Sequence, residues 1–544
     1  MKLSLRDSLR HAWKVDRRLR FYDLEGMTES MTFGEFGEKV SELQAGLEAL
    51  GVGPGSVVAV MGPTSPSIAA LCAAVWQAEA TLTVLATPTR LSNLEQYLAE
   101  TLGKLSRSRA SILIGQDDIV AAFKELAGIA VLSVEELRAS EKAKIKLPEE
   151  GPKDCALIQF SSGTTREPKP ILLSQQALLS NSRAVLDQFP GGASHHSCVS
   201  WLPLYHDMGL IGCFLMPILA PGDLTLMGPE VFAVRPLTWL EAISEQRATT
   251  SSAPNFALAH CVRRISEKEV QRLDLSCWKI AMVGAEPVRP QTLESFAEKF
   301  KPAGFSELAF SPVYGLAEAT LAVSFSPLGQ GLKTYSYDLE EMTKSGQVRA
   351  GSQSSPSLGR PLENVEVDIR SQSGQSLGEG KLGDVWVKSP SLMSGVLGEA
   401  DGQLTDGWLQ TGDAGFLVDG ELHLYGRRRD ILLLDGRNHD PSLVEQSVES
   451  LDEVRRCCAF TQETSEERDH LILLCEVEHS YDGTETRLEE KVRNRCRRQS
   501  TLRPDRVVFL TPGDLPVTSS GKLKRKAAAD AFARNEFDVA LLGT

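Results

Sequence analysis

Residues 155–186 read CALIQFSSGTTREPKPILLSQQALLSNSRAVL, and the order of textures in this stretch decides the fold. Cys155–Phe160 is a short apolar run with the length of a buried strand. Ser161–Lys169 is crowded with hydroxyls and carries one glycine and one lysine. Gln175–Leu186 has the spacing of an amphipathic helix. The same alternation stands earlier, in Ser56–Met61 and Ser67–Gln77, and a repeated βαβ rhythm predicts parallel sheets covered by helices. The hydroxyl-rich loop offers backbone N–H groups, side-chain hydroxyls and a cation at short range, which is what a polyphosphate needs. It lacks the Gly-x-x-x-x-Gly-Lys-Ser/Thr pattern, and taken alone it reads more readily as a polar surface loop.

Downstream the texture changes. From about Asn364 the chain reads VEVDI, GDVWV and FLVDGELHLYG, with Asp419-Gly420 set between two alternating runs as a hairpin turn should be. After GRRRD at 426–430 come a strand ILLL, a helix with Asp440 as its cap and Pro441 in its first turn, a strand LILLCEVE, a basic helix and a strand RVVFL. This places a boundary at Gly426–Asp430. The expected units are residues 1–425, a hinge at 426–430 and a second domain at 431–544.

The chain has 544 residues, too many for one ordinary core, and 42% apolar with 24% charged residues is the composition of a folded globular protein. A net charge of −14 argues against general nucleic-acid binding, which needs clustered cations. The run Lys491, Arg493, Arg495, Arg497 and Arg498 is the local exception, readable as a solvated helix face or as a landing patch for an acidic partner. Ten cysteines without zinc spacing read as reduced thiols, and neither a secretory signal nor an uninterrupted membrane span is found. A cytoplasmic location is expected.

The ordered blocks SSGTTREPKP (161–170), WLPLYHDMGLIG (201–212), SAPNFALAHC (252–261), MVGAEPV (282–288), YGLAEATLAVS (314–324), QTGD (410–413), GRRRDILLLDGRN (426–438) and SSGKLKR (519–525) span nearly the whole chain. In order and spacing they resemble the acyl-adenylate-forming superfamily, and LPLYHDMGLIG, SAPNFA, GAEPV and YGLAEATL look most like its fatty acyl-AMP ligases. The long segment at about 324–357 matches the place where that group carries an insertion, which by resemblance restricts the docking that coenzyme A requires.

The resemblance implies an α/β fold: a large N-terminal domain of two doubly wound α/β subdomains plus a distorted β-barrel, and a small mobile α+β C-terminal domain carrying the catalytic lysine. It implies ATP and Mg²⁺ as cofactors, a fatty acid as substrate and the phosphopantetheine arm of an acyl carrier protein as acceptor. Ser161, Ser162, Gly163, Thr164, Thr165 and Lys169 are then expected around the phosphates, with Glu318 and Thr165 toward Mg²⁺. Gly284, Ala285, Glu286, Tyr314, Gly315, Leu316 and Ala317 would surround the base. Asp413 would accept from the ribose hydroxyls, with Arg427 near the ribose or phosphate. Lys522 is expected at the reacting carboxylate and α-phosphate, His206 at the junction with the acyl pocket, and Arg429 at the hinge. Met208, Leu210, Ile211, Phe214 and Phe256 are candidates for the acyl tunnel, although core packing explains each equally well.

Two residues depart from the family pattern, because Arg166 and Pro170 stand where glycine is usual. Two other readings compete with a carrier-loading ligase: an acyl-CoA synthetase of the same fold, and a degenerate adenylate-binding regulator. Retention of Lys169, Glu318, Asp413 and Lys522 counts against the regulator.

Overall fold

The computed structural model describes residues 4–88, 94–139, 152, 154–161, 168–399, 404–434, 437–463, 469–478, 481, 483–499, 502–517 and 523–537. Among them, two large sheets form the frame of the N-terminal domain. One has seven strands, and its centre is the parallel set Thr81–Leu85, Val57–Met61, Ile112–Gly115 and Ala130–Ser133, with Leu157–Phe160 parallel to Thr81–Leu85. The other has nine strands and is parallel through Cys198–Ser200, Thr250–Ala253, Ile280–Val283 and Phe310–Gly315. Strands such as Val57–Met61 are buried along their whole length, which is why they read as continuous apolar runs rather than as alternating ones.

The expected helices have identifiable starts. Ser174 accepts from the Ala177 amide at the head of Gln175–Leu186, and Ser65 caps a helix that begins with Pro66. One expectation is corrected in its detail. The hydroxyl-rich loop does not run straight into the helix. It joins Leu157–Phe160 to an antiparallel strand, Pro170–Leu173, and so forms a hairpin. Ser161 N–H donates to the Lys169 carbonyl at 2.9 Å, and the Lys169 amide donates to Ser161 Oγ at 3.0 Å. Phe160 and Pro170 therefore face each other between hydrogen-bonded pairs, where the amide hydrogen that proline lacks removes no bond of this hairpin. Arg166 lies outside the described residues.

A curled half-barrel follows, built from Glu366–Arg370, Gly383–Lys388, Trp408–Val418 and Glu421–Arg427. Its last hairpin turns at Asp419 and Gly420, with φ of 52° and 75°, the double left-handed turn that the Asp-Gly pair favours. The segment expected as an insertion folds as a two-stranded ribbon, Thr334–Tyr337 with Gln353–Pro356, and a helix, Leu339–Ser345. Its Tyr337 and Met342 are buried with Phe416 and Tyr425 of the half-barrel, and Ile431 packs on the same cluster.

Beyond residue 431 the hydrophobic cores are separate. Helix Pro441–Glu449, helix Glu485–Gln499 and the sheet Val454–Glu463, Asp469–Val477, Arg506–Leu510 enclose one cluster, and helix Arg525–Ala533 covers the other face of that sheet. The small C-terminal domain thus has its own interior. Among the described residues no helix is long and apolar enough to cross a membrane.

Candidate active site

The carboxyl ends of the sheet strands, the half-barrel and the small domain enclose one cavity of about 1840 Å³. Open α/β sheets bind ligands at this end of their strands. Ser161 and Lys169 line it, as do Tyr205, His206, Asp207, Ala285, Glu286, Tyr314, Gly315, Leu316, Ala317, Glu318, Asp413, Arg427 and Arg429. Residues separated by up to 268 positions in sequence, from Ser161 to Arg429, therefore share one wall. Ser162, Gly163, Thr164, Thr165 and Lys522 lie outside the described residues.

The best-defined polar unit is Tyr314, Asp413 and Arg427. Tyr314 ends the strand Phe310–Gly315, while Asp413 and Arg427 are register partners in the half-barrel hairpin. Asp413 is only 4% exposed, yet one oxygen accepts from Tyr314 and the other pairs with Arg427. Burial and the Asp413 charge together push the Tyr314 phenol well above its ordinary value, so it remains a donor. Burial works against the Arg427 cation, but Asp413, Tyr314 and Glu318 outweigh it and hold the guanidinium above its usual range.

Glu318 sits in a short 3₁₀ turn, Ala317–Ala319, after Gly315. Burial raises its carboxyl above the ordinary value, with Asp207 and Asp413 adding to the rise and Arg427 opposing it. Glu318 is thus a half-buried carboxylate with one guanidinium and two carboxylates as charged neighbours. It fits Mg²⁺, which takes one or two protein carboxylates and completes its shell with phosphate oxygen and water. The backbone around it is drawn tight. A Cβ on Gly315 would fall 1.7 Å from the Leu321 carbonyl oxygen, so only glycine fits. Ala285 has a positive φ of 68°, and Thr320, at φ 72° and ψ −60° with the Leu321 amide donating to the Ala319 carbonyl, centres a γ-turn; L-residues adopt such backbones at a cost, and they cluster at binding sites.

His206 lines the cavity. Its Nδ1 is 2.7 Å from Asp207 Oδ1, and the Met208 amide donates to Asp207 at 2.6 Å. From Met208 to Leu215 the helix is a π-helix, a form that concentrates at functional positions. Gly209 makes this entry possible, because a Cβ there would lie 2.2 Å from the Pro203 carbonyl oxygen. Met208, Gly212 and Met216, four residues apart, face the cavity. Leu210, Ile211 and Phe214 do not. They are 0% exposed in the main core, Phe214 in edge contact with Phe36, so of the residues expected along the tunnel only Met208 and Phe256 line the cavity. Apolarity alone could not tell the two faces of this helix apart. Gly284, next to the strained Ala285, packs on Val313 rather than on the cavity.

Lys169 is paired with Glu399 at 2.8 Å, and both side chains are well exposed. On the other side of the cavity Arg289, from the large domain, pairs with Glu449 of helix Pro441–Glu449 at 2.9 Å, while its amide donates to Asn255 Oδ1. Nothing in the sequence around Arg289 marked it as a bridge between domains. In the segment expected as a hinge, Arg428 pairs with Asp384 at 3.2 Å and its amide donates to the Gly412 carbonyl, so it is tied to the half-barrel. Asp430 pairs with Arg525 at 3.1 Å, and Arg525 makes a two-pronged contact with Glu445, so Asp430 belongs to the small domain. Arg429 stands between the two anchors.

The cavity thus brings a phenol, a buried carboxylate and a guanidinium together at the strand ends. Residues 10–397 match the family of AMP-binding enzymes, and the chain belongs to that family. It is an adenylate-forming ligase. It is 33% identical to a putative acyl-CoA synthetase of Caulobacter vibrioides over 97% of this chain and 95% of that one. It is also 33% identical to a medium-chain fatty acid–acyl-carrier-protein ligase of Moorena producens, over 70% of this chain and 68% of the relative. A solved structure from work on the fatty acyl-adenylate ligases of E. coli and L. pneumophila superposes with a TM-score of 0.90 at 31% identity, covering 98% of both chains.

Proposed function

We propose that the protein uses ATP to activate a fatty acid as acyl-AMP and then passes the acyl group to the phosphopantetheine thiol of an acyl carrier protein. The observation that carries this reading is that the joined Tyr314, Asp413 and Arg427 line the same cavity as His206, Met208, Gly212 and Met216. In the first step a carboxylate oxygen forms a bond to the α-phosphorus, the bond to the β-phosphate bridging oxygen breaks, and pyrophosphate leaves with the electron pair. In the second the thiolate attacks the acyl carbon and AMP departs with the electron pair of the acyl–oxygen bond, the thiol proton passing to solvent.

The chain's own groups have distinct parts in this scheme. Asp413 fixes the ribose through its remaining lone pairs, and Tyr314 and Arg427 hold its carboxylate in place. Glu318, with Thr165, would hold Mg²⁺, which when bound neutralises phosphate charge. Lys522 supplies a cation to the charge developing between carboxylate and α-phosphate. Arg429, between two anchored neighbours, is the pivot about which the small domain turns between the two steps.

The packing of Tyr337 and Met342 beside Ile431 supports carrier protein over coenzyme A, because an insertion wedged against the start of the small domain limits how that domain docks. The full-length similarity to a putative acyl-CoA synthetase favours the second reading, in which coenzyme A is the acceptor. Incubation with ATP, Mg²⁺ and fatty acids of graded length, with either coenzyme A or a phosphopantetheinylated carrier protein, and identification of the thioester by mass, separates them. Acyl-carrier product without acyl-CoA is expected. Acyl-CoA as the main product would replace the first reading by the second, and absence of acyl-AMP would remove both.

A further inference from the structure

Helix Pro441–Glu449 of the small domain touches the large domain at both of its ends. At its start the cap residue, Asp440, lies against Gly426 of the half-barrel, where an added Cβ would fall 3.1 Å from Asp440 Oδ1. At its end Glu449 pairs with Arg289 at 2.9 Å. The helix between the two contacts rises about 13 Å. Gly426 stands three residues before Arg429, so the first contact is at the proposed pivot. A turn of the small domain about that pivot carries the far end of the helix furthest, and it must break the Arg289–Glu449 pair.

Both partners are anchored on their own side. The Arg289 amide donates to Asn255 Oδ1 at 2.8 Å, and Arg289 leads into helix Pro290–Phe300. Glu449 divides its two oxygens: Oε1 accepts from the Cys457 amide at 3.0 Å, which ties it to the small-domain sheet, and Oε2 takes Arg289 Nη1. Glu449 is thus held before the arginine meets it, which lowers the ordering cost that makes most part-exposed ion pairs weak. The orientation that the pair holds suits the first half-reaction. Leu523, the residue after Lys522, lines the cavity together with Tyr314 and Asp413.

We propose that Arg289 and Glu449 are positioning residues for acyl-AMP formation: their ion pair latches the small domain in the orientation that presents Lys522, and its release admits the thiol step. The latch rests on the proposed two-step reaction with a turning small domain. The test uses Arg289→Met and Glu449→Gln, alone and together, each checked by its thermal unfolding. Glutamine keeps an acceptor for the Cys457 amide and loses only the charge. One single-turnover measurement starts from ATP and a fatty acid that the wild type accepts, and reads acyl-AMP. The other starts from purified acyl-AMP and phosphopantetheine, and reads the thioester.

Each single variant should form acyl-AMP about two- to fivefold more slowly, the range for one part-exposed ion pair, and make thioester at least as fast as wild type. The double variant should match the singles, because all three lose the same contact. Opposite effects on the two steps separate a latch from a loss of structure, which slows both. Equal losses in both steps, or no change in either, overturn the latch. So does a loss in Arg289→Met with Glu449→Gln unchanged, which would place the arginine on the substrate. Wild-type protein that makes no acyl-AMP, or makes it and transfers nothing to the thiol, overturns the two-step reading instead.

Discussion

Tyr314 donates to Asp413 Oδ2 at 2.5 Å while Arg427 Nε holds Oδ1 at 2.8 Å, and this joins the end of the nine-stranded sheet to the half-barrel. The carboxylate is thereby oriented before any ribose arrives. Asp413→Ala should remove both the ribose acceptor and the partner of Arg427, costing about 1.5–3 kcal/mol, or roughly 10- to 150-fold in kcat/KM for ATP. Tyr314→Phe removes only the orienting bond and should cost about 1 kcal/mol, or roughly fivefold. ATP-dependent hydroxamate formation measures both. Equal losses would show that the phenol does more than orient Asp413.

Much of this site was legible because its chemistry is written in compact blocks. Tyr314 and Asp413 stand in YGLAEAT and QTGD, and the Asp419-Gly420 turn followed from backbone preference alone. The acyl wall was not legible, since Leu210, Ile211 and Phe214 are as apolar as Met208 and differ only in which face the π-helix turns inward. Nor was the bridging cation. Arg289 acquires meaning only when segments far apart in the chain are brought together. The basic run suffered the reverse problem: Lys491 is engaged by Glu453 and Arg493 by Glu489, Arg495 lines the cavity, and Arg497 and Arg498 stay exposed.

Lys169 cannot serve a phosphate while its ammonium stays on Glu399. An exposed pair of this kind is worth only about 0–1 kcal/mol, so ATP can displace it readily. Glu399→Gln should lower the KM for ATP by at most about fivefold, and Lys169→Ala should raise it more than Glu399→Gln lowers it. Steady-state kinetics in ATP at fixed Mg²⁺ decide the point. A higher KM in Glu399→Gln would mean that the carboxylate positions the lysine instead of competing for it.

Arg428 is fixed to Asp384 and Asp430 to Arg525, so the proposed rotation of the small domain falls on Arg429 and would open the turn in which the Asp430 amide donates to the Arg427 carbonyl. Proline at this position locks φ. Arg429→Pro should keep pyrophosphate release within about threefold of wild type while slowing thioester transfer by more than about tenfold. Arg525→Ala should instead impair both steps, because Arg525 holds Asp430 and Glu445 and stands only three residues along the chain from Lys522. Single-turnover measurements starting from ATP and from purified acyl-AMP separate the two. Parallel losses in Arg429→Pro would place the pivot elsewhere.

Asp440 caps the helix Pro441–Glu449 by accepting from the Ser442 amide, and it is buried beside Tyr337 of the inserted ribbon and Tyr425 of the half-barrel. Burial raises its carboxyl to about 6 from an ordinary 3.8. The Ser442 amide and hydroxyl and the Arg525 cation pull it down, and Glu445 pushes it up. The folded state therefore holds this proton more tightly than the unfolded chain does. Stability must fall as the pH rises from about 4 through about 6 and stay reduced above that, the opposite of the usual salt-bridged aspartate. Asparagine keeps an N-cap acceptor without the charge. Asp440→Asn should be more stable than wild type by about 3 kcal/mol at pH 7.5, and the gap should close below about pH 4. Urea unfolding of both proteins at a series of pH values tests this. A difference that does not change with pH would mean that the cap, and not the buried charge, sets the stability at this junction.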